Sequence, residues 1–558
     1  MGKISSQILF LTTSPRTPEK MFPEIELLVQ HFEGRKWDKQ CQLEYMEKLK
    51  NEETFNGNAT GDPAFSARDR INRAPKSLGF VELQPQIQLT PAGKELLTTK
   101  NKSEVLLRQL LKFQIPSPYH KPTRDAADFC VKPYLELLRL IYTLGTLKFD
   151  ELQIYALQLT NYHNFDAIVE KIRNFRIQKE VFKGKYAIFK AQCLKGELLS
   201  IFKKRINKGK TRTRESQDNS LKNFLKTQAN NMRDYADAFF RYIRATGLVA
   251  VSHIGKSLSI IPERLKEVQY ILKTIEREPI FVDDLENYMK YLGNAGLPRL
   301  LTDDKKALIS IISKDFPAVN ISSNATVSEL KEKLNELLTQ RKKDIITKQI
   351  SELKEYSKYN EIQSLFEQIK KNELYDTPLM LEWNIWRAMT MLDGGNILAN
   401  LSFDDQGNPM TTASGNMSDI VCDYGNYLLC VEVTMSTGQR QYEMEGEPVM
   451  RHLGQLKKSS GKPCYCLFIA PNINEACIAH FYVLHKVNVE LYGGKSVIVP
   501  LPLNIFQKML ETSHNSPHTP VPAQVLNIFK KSEEIANNCD NEKIWYKKLT
   551  QFALRWLD

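Results

Sequence analysis

Along most of the chain, apolar residues recur every three or four positions, the spacing of one helix face. Tyr134–Leu144 (YLELLRLIYTL), Leu221–Ile243 and Met380–Leu392 (MLEWNIWRAMTML) carry this pattern most clearly and predict helices. Two shorter stretches break it in the same way. Phe80–Leu83 and Ile87–Leu89 are β-prone runs flanking a Gln84-Pro85-Gln86 turn, after which Thr90 and Pro91 suit the first positions of a helix. Leu248–Val251 and Leu258–Ile261 flank a turn containing Gly255, and Pro262 opens helical sequence again. A helix followed by a β-hairpin is the pattern of a winged helix, so residues 1–130 and 131–275 predict two tandem winged-helix-like DNA-recognition modules. An ordinary hairpin between helices has the same pattern. Residues 276–375 are charged and mostly helical and predict a connector. From about residue 376 to 558 the pattern changes to α/β, which makes the whole chain multidomain α+β.

Within that last region, Ile420–Asp423 and Tyr427–Val433 read as two strands joined through Gly425-Asn426, a two-residue hairpin signal. Pairing Tyr424 with Tyr427 sets the register and puts Asp419 opposite Glu432. Directly opposed Cβ atoms lie about 4.5–5.5 Å apart, and like charges there repel. A divalent cation offsets that repulsion, and Mg²⁺ prefers carboxylate oxygens. Pro448 fits the first turn of a following helix, and Cys464–Ala470 (CYCLFIA) reads as a buried strand.

Composition narrows the function class. The chain has 558 residues, 42% hydrophobic content and a net charge of +12, from 77 basic and 65 acidic residues. This supports packed domains with a polyanionic partner, nucleic acid being the candidate. No apolar run approaches the roughly 18 residues of a membrane span. Nine dispersed cysteines without a zinc-like spacing read as reduced cytoplasmic thiols. Lys203–Arg214 (KKRINKGKTRTR) is basic without an acid and predicts a loop or mobile arm. Lys203, Lys204, Arg205, Arg212 and Arg214 are its candidate phosphate contacts, a solvated charged face being the alternative.

The opposed acids suit metal-assisted phosphodiester hydrolysis. Asp419 and Glu432 are the candidate metal ligands, for Mg²⁺ or Mn²⁺ in its place, and the Val433 carbonyl is a third. Glu445 could bind a second ion or orient water, or else complement a helix dipole from its first turn. His452 could meet the phosphate or assist proton transfer, or simply pack. Glu382 reads as a surface acid unless its apolar neighbours turn it inward. Arg68 and Arg70 could read guanine, hold phosphate or pair with Asp69, and Arg16 is a further candidate.

Several blocks in one order resemble the AlwI-like type IIS restriction endonucleases. They are TTSPRTPEK (Thr12–Lys20), AFSARDRI (Ala64–Ile71), LLKFQIPS (Leu110–Ser117), GNMSDI (Gly415–Ile420), VEVTMSTGQRQYEMEGEPVMRH (Val431–His452) and CYCLFIAP (Cys464–Pro471). The resemblance implies N-terminal recognition subdomains, a helical linker and a C-terminal PD-(D/E)XK-type nuclease in a prokaryotic cytoplasm. It implies recognition of a short asymmetric DNA site with cleavage a few base pairs outside it, and an acidic site on Glu382, Asp419, Glu432 and Glu445 followed by His452. Thr434 stands where that nuclease class usually has lysine. Nicking and double-strand-cutting enzymes both occur in the family. A single nuclease unit implies nicking by a monomer, as in the large subunit of a heterodimer, and double-strand cleavage with a transient homodimer or a small nuclease subunit. A DNA-binding regulator with an inactive nuclease domain is the reading from another class.

Overall fold

The computed structural model describes residues 2–10, 13–52, 61–213, 215–322, 324–392, 395–413 and 417–558. They form two packed units, Met1–Leu337 and Leu338–Asp558. The stretches read as 1–130 and 131–275 both lie in the first unit. The stretch 276–375 is shared, and the helix Val327–Lys354 crosses from one unit into the other.

In the first unit, helix α1 (Pro63–Ser77) starts where the Asp62 side chain accepts the Phe65 N–H and Pro63 sets the first turn. The hairpin after it is shorter than its apolar runs suggest: β1 (Val81–Glu82) pairs with β2 (Gln88–Leu89). The flanking backbone groups are bonded elsewhere. Phe80 N–H reaches the Pro75 carbonyl at 2.9 Å, and Ile87 exchanges hydrogen bonds with Gly34 and Arg35. Helix α2 (Pro91–Thr98) opens as expected, with the Thr90 hydroxyl accepting Gly93 N–H at 3.0 Å.

The second hairpin belongs to a larger motif. Helix α3 (Pro133–Leu144), β3 (Thr146–Lys148) and α4 (Phe149–Ile154) precede the long amphipathic α5 (Leu221–Arg244). After α5 come β4 (Val249–Ser252) and β5 (Ser257–Ile260), giving an antiparallel sheet of order β3-β5-β4. The sequence pattern did not announce β3, which completes its ladder only with β5, more than a hundred residues later. The basic stretch is not all loop: Lys203–Asn207 forms a short helix whose Arg205 guanidinium sits 5.0 Å from the Phe224 ring.

The second unit is built on one mixed sheet. Helix α6 (Thr377–Leu392) precedes β6 (Asn396–Ala399), β7 (Ile420–Asp423) and β8 (Leu428–Val433). Helix α7 (Gln439–Ser460), β9 (Cys464–Ala470), α8 (Glu475–Lys486) and β10 (Ile498–Pro502) follow. The sheet order is β10-β9-β8-β7-β6, antiparallel from β6 to β8 and parallel from β8 to β10. β8 and β9 are nearly continuous apolar runs because central parallel strands are covered on both faces. Gly425 has φ +85 at the first position of the two-residue turn, the place where a type II′ hairpin favours glycine.

One expectation is corrected here. Pro448 does not open a helix but lies inside α7, which begins at Gln439. Gly438, at φ +61, turns the chain out of the strand. The buried Gln441 amide then bonds the Ser436 and Asn472 carbonyls and the Asn474 N–H, anchoring the first turn. Pro448 only removes the N–H that would reach the Met444 carbonyl, a local loss that buried Gly446, Val449, Met450 and Leu453 offset by packing.

Candidate active site

The hairpin register is the one its turn dictates. Ile420 pairs with Val431 and Asp423 with Leu428, so Asp419, one step beyond β7, falls opposite Glu432. The Asp419 carboxylate accepts the Val433 N–H at 2.8 Å, and its own carbonyl accepts the Asn400 N–H at 3.0 Å. Asp419 is thus tied to both neighbouring strands. In an extended strand the N–H and C=O of one residue share an edge, which turns the Val433 carbonyl to the Asp419 side as well.

Three further groups close in. Glu382, on α6, is 3% exposed and accepts the Ala413 N–H at 3.0 Å. It is therefore an interior acid, not a surface one. Glu445 and His452 lie seven residues apart on α7, about two turns, and so share a face. Glu445 accepts a hydrogen bond from the Thr434 hydroxyl, which in turn accepts the Ser436 N–H at 3.0 Å. Glu445 sits in the second turn of its helix, so the first-turn dipole role does not apply. His452 places Nδ1 3.0 Å from Glu432 Oε1, while its Nε2 is buried without a hydrogen-bond partner among the described residues.

Burial is the first cause that pushes the carboxyls of Glu382, Asp419 and Glu432 well above the usual carboxylate range. Mutual repulsion adds to it: Asp419 acts on Glu382, Glu432 on Asp419, and Glu445 and Glu382 on Glu432. Glu445 is raised by burial too, against the Thr434 hydrogen bond. His452 is lowered to about 4, first by burial and then by Arg451. Although Glu432 and His452 stand at ion-pair distance, burial opposes charge on both. The oxygen-only donor set and its like-charge repulsion fit a hard divalent ion. Among the described residues, no group of three or more His, Cys, Asp or Glu is arranged to hold a metal ion by itself.

Sequence reasoning missed Thr434 as the partner of Glu445, and Ser418, whose side chain bonds Glu432. Their hydroxyls flanking the two acids in sequence were the available signal.

The candidate DNA contacts are scattered over the first unit. Arg16 pairs with Asp234 at 3.1 Å and Asp237 at 3.7 Å. Arg70 is ion-paired with the buried Glu24, and Asp69 pairs with Arg73 instead of either neighbour. Arg68 lies 3.9 Å from Asp62 and 5.8 Å from the Phe65 ring. Lys203, Lys204 and Arg212 are exposed and Arg205 is half-buried, while Arg214 lies outside the described residues.

No curated protein matches the chain. Among solved structures, the small subunit (R.BspD6I2) of the heterodimeric restriction endonuclease R.BspD6I is 24% identical over 36% of this chain and 95% of its own, with a TM-score of 0.29. The BpuJ1 endonuclease binding domain, solved with pyrene- and phenanthrene-modified DNA, is 12% identical over 50% and 93%, with a TM-score of 0.31. Restriction endonuclease FokI is 12% identical over 92% and 96%, with a TM-score of 0.23. These superpositions are too loose to pass residue roles between chains. The family model described as AlwI restriction endonuclease matches residues 76–509, most of the chain. The chain belongs to the AlwI restriction endonuclease family.

Proposed function

We propose that the protein is a type IIS restriction endonuclease that uses Mg²⁺, or Mn²⁺ in its place, to hydrolyse double-stranded DNA a few base pairs outside a short asymmetric site. The observation that carries this reading is the convergence of Asp419 and Glu432 across one hairpin, with Glu382, Glu445 and His452 around them. In this reading the second unit is a PD-(D/E)XK-type nuclease. The first carries two winged-helix-like modules, built on α1 with the β1–β2 hairpin and on α5 with the β4–β5 hairpin. No helix among the described residues is long and apolar enough to cross a membrane. The described cysteines are all free, which suits a prokaryotic cytoplasm.

Asp419, Glu432 and the Val433 carbonyl would hold the ion. Mg²⁺ bound there supplies positive charge beside the scissile phosphate. It usually takes one or two carboxylates and completes its shell with water and substrate phosphate, so a full protein cage is not required. Thr434 fixes the Glu445 carboxylate, whose raised basicity suits it to accept a proton from the attacking water. His452, held through Nδ1, keeps Nε2 uncommitted for the phosphate or for proton transfer. With Thr434 in the usual lysine position, Glu445 takes the water-positioning part.

One such cluster breaks one strand per engagement, so a monomer nicks. Double-strand cleavage requires a transient homodimer or a small nuclease subunit. The test is supercoiled plasmid incubated with Mg²⁺ or with chelator, followed by run-off sequencing of the products. Open circles in Mg²⁺ alone, broken at a fixed offset from one sequence, are the expected result. Failure of folded protein to cut any of many DNA sequences would overturn the reading in favour of a DNA-binding regulator.

A further inference from the structure

The first unit contains a cleft of about 1050 Å³. Asn72, Arg73 and Lys76 of α1 line it, as do Gln228, Asn231 and Tyr235 of α5. The spacings within each set place its members on one helix face. Both helices are the ones that immediately precede a hairpin. The cleft therefore brings together the two elements that each module would use to meet DNA.

Its polar groups are poorly matched to one another. Lys3, Lys76 and Arg212 also line it, and none is in an ion pair among the described residues, although Lys76 feels the Glu82 carboxylate from beyond ion-pair distance. Lys76 is half-buried, with Nζ 4.9 Å from the Tyr119 ring, and burial pushes its pKa down. Of the acids at the cleft, Asp234 is taken by Arg16, and Glu215 is exposed and in no ion pair among the described residues. Gln228 and Asn231 are half-buried, and no described residue bonds their amides. Asn72 uses its oxygen to accept Trp37 Nε1–H at 3.0 Å, which leaves its amide N–H groups uncommitted. Arg73 is held in place by Asp69 and by the Thr13 hydroxyl at 3.1 Å.

A solvent-filled crevice between helices would account for the volume. It would not account for three cations outside any ion pair beside amides without hydrogen-bond partners. Cations of this kind suit phosphates, and amides suit base edges. The aromatic rings argue against a single strand, which would need free stacking faces. Phe10 already meets Tyr235 and His120, at ring separations of 6.1 and 5.6 Å, and Tyr119 meets Tyr288 at 5.5 Å.

We propose that this cleft is the recognition surface for double-stranded DNA, with Lys76 and Arg212 on phosphates and Gln228 and Asn231 on base edges, so that both pre-hairpin helices read one continuous site. This rests on the endonuclease reading but specifies which surface does the reading. Arg73, engaged in an ion pair with Asp69, shapes its wall.

The test is fluorescence anisotropy of the full-length protein, in chelator, on a labelled duplex carrying the site mapped by run-off sequencing. Lys76→Ala and Arg212→Ala should each weaken binding to all duplexes and reduce the slope of log affinity against log salt by about 1. Lys76→Arg should restore both. Asn231→Ala should instead relax the preferred sequence, seen as new cleavage positions in run-off sequencing, with the salt slope kept. Arg212 is exposed, so its variant should fold as the parent does, which thermal unfolding checks. Unchanged affinity and salt slope in both Lys76→Ala and Arg212→Ala would overturn the proposal even if the parent cuts DNA. A parent that cuts nothing would overturn the endonuclease reading instead, and the same affinities and salt slopes, measured on a labelled duplex of arbitrary sequence, would still decide the cleft.

Discussion

The two units treat charge in opposite ways. In the first, several acids inside the fold are paired with bases: Arg70 to Glu24, Arg73 to Asp69, and Arg108 to Glu104 and Asp303, with Lys331 joining the same two acids. Such pairs hold helices to one another, and each adds no net charge of its own. In the second, Glu382, Asp419, Glu432 and Glu445 gather around the end of one hairpin, and desolvation and repulsion both raise their pKa values. Buried opposite charges that satisfy each other describe a scaffold. Buried like charges raise the energy of the fold and describe a place where an opposite charge arrives from outside.

The sharpest way to break this contrast is to remove a carboxylate charge from the cluster. Asp419→Asn should keep its approximate shape while losing half of the pair that would hold the ion. Cleavage should fall by about 10³-fold or more, on the order of 4 kcal/mol of transition-state stabilisation. Affinity for a duplex carrying the site, measured by anisotropy in chelator, should stay within about threefold. Loss of binding together with cleavage would mean that the acids are scaffold after all, like the pairs of the first unit.

A smaller effect separates the acids from their supports. Glu445→Gln should lower the single-turnover rate by about 10²-fold if Glu445 handles a proton. Thr434→Val removes one hydrogen bond to a charged group, worth about 1.5–3 kcal/mol. The rate should therefore fall by about tenfold to a hundredfold, and Thr434→Ser should restore it. Thr434→Val with an unaltered rate would remove Thr434 from the positioning of Glu445 and reopen the question of what replaces the usual lysine.

The contrast between units also explains what could be read in advance. Asp419 opposite Glu432 was legible because a two-residue turn fixes register locally, and every residue involved lies within fourteen positions. The helical opening at Thr90-Pro91 was legible for the same reason. The true start of α7 was not, because Gln441 bonds Asn472 and Asn474, some thirty residues downstream, and Pro448 offered a stronger local signal. Glu382 reads as a surface acid until α6 is packed, since its burial depends on the sheet. Arg70 has an acid next to it in sequence, yet its partner is Glu24, 46 positions away. Local hydrogen-bond geometry is written in short segments, whereas charge pairing is decided by which distant segments meet.

The smallest expected effect tests the like-charge cluster through stability. Carboxyls whose folded pKa lies above the unfolded value, about 4, hold protons more tightly in the native state. Between those two values the native state binds more protons than the unfolded chain, so stability falls as pH rises. His452, lowered to about 4, acts in the opposite sense, but only up to its unfolded pKa near 6.5. Above pH 6.5, therefore, the acids alone set this site's slope, and it is negative until their raised pKa values are passed. Thermal unfolding in chelator should show the melting temperature declining over that range, with Asp419→Asn flattening the decline. Mg²⁺ should raise the melting temperature, and by more at pH 8.5 than at pH 6.5, because it binds the ionised acids. Saturation at a hundred times Kd would add about 2.7 kcal/mol. The variant serves as the control for groups elsewhere that titrate in the same window. A parent and an Asp419→Asn protein with equal slopes and equal responses to Mg²⁺ would place the four acids with the paired charges of the first unit, as structure without a missing counter-ion.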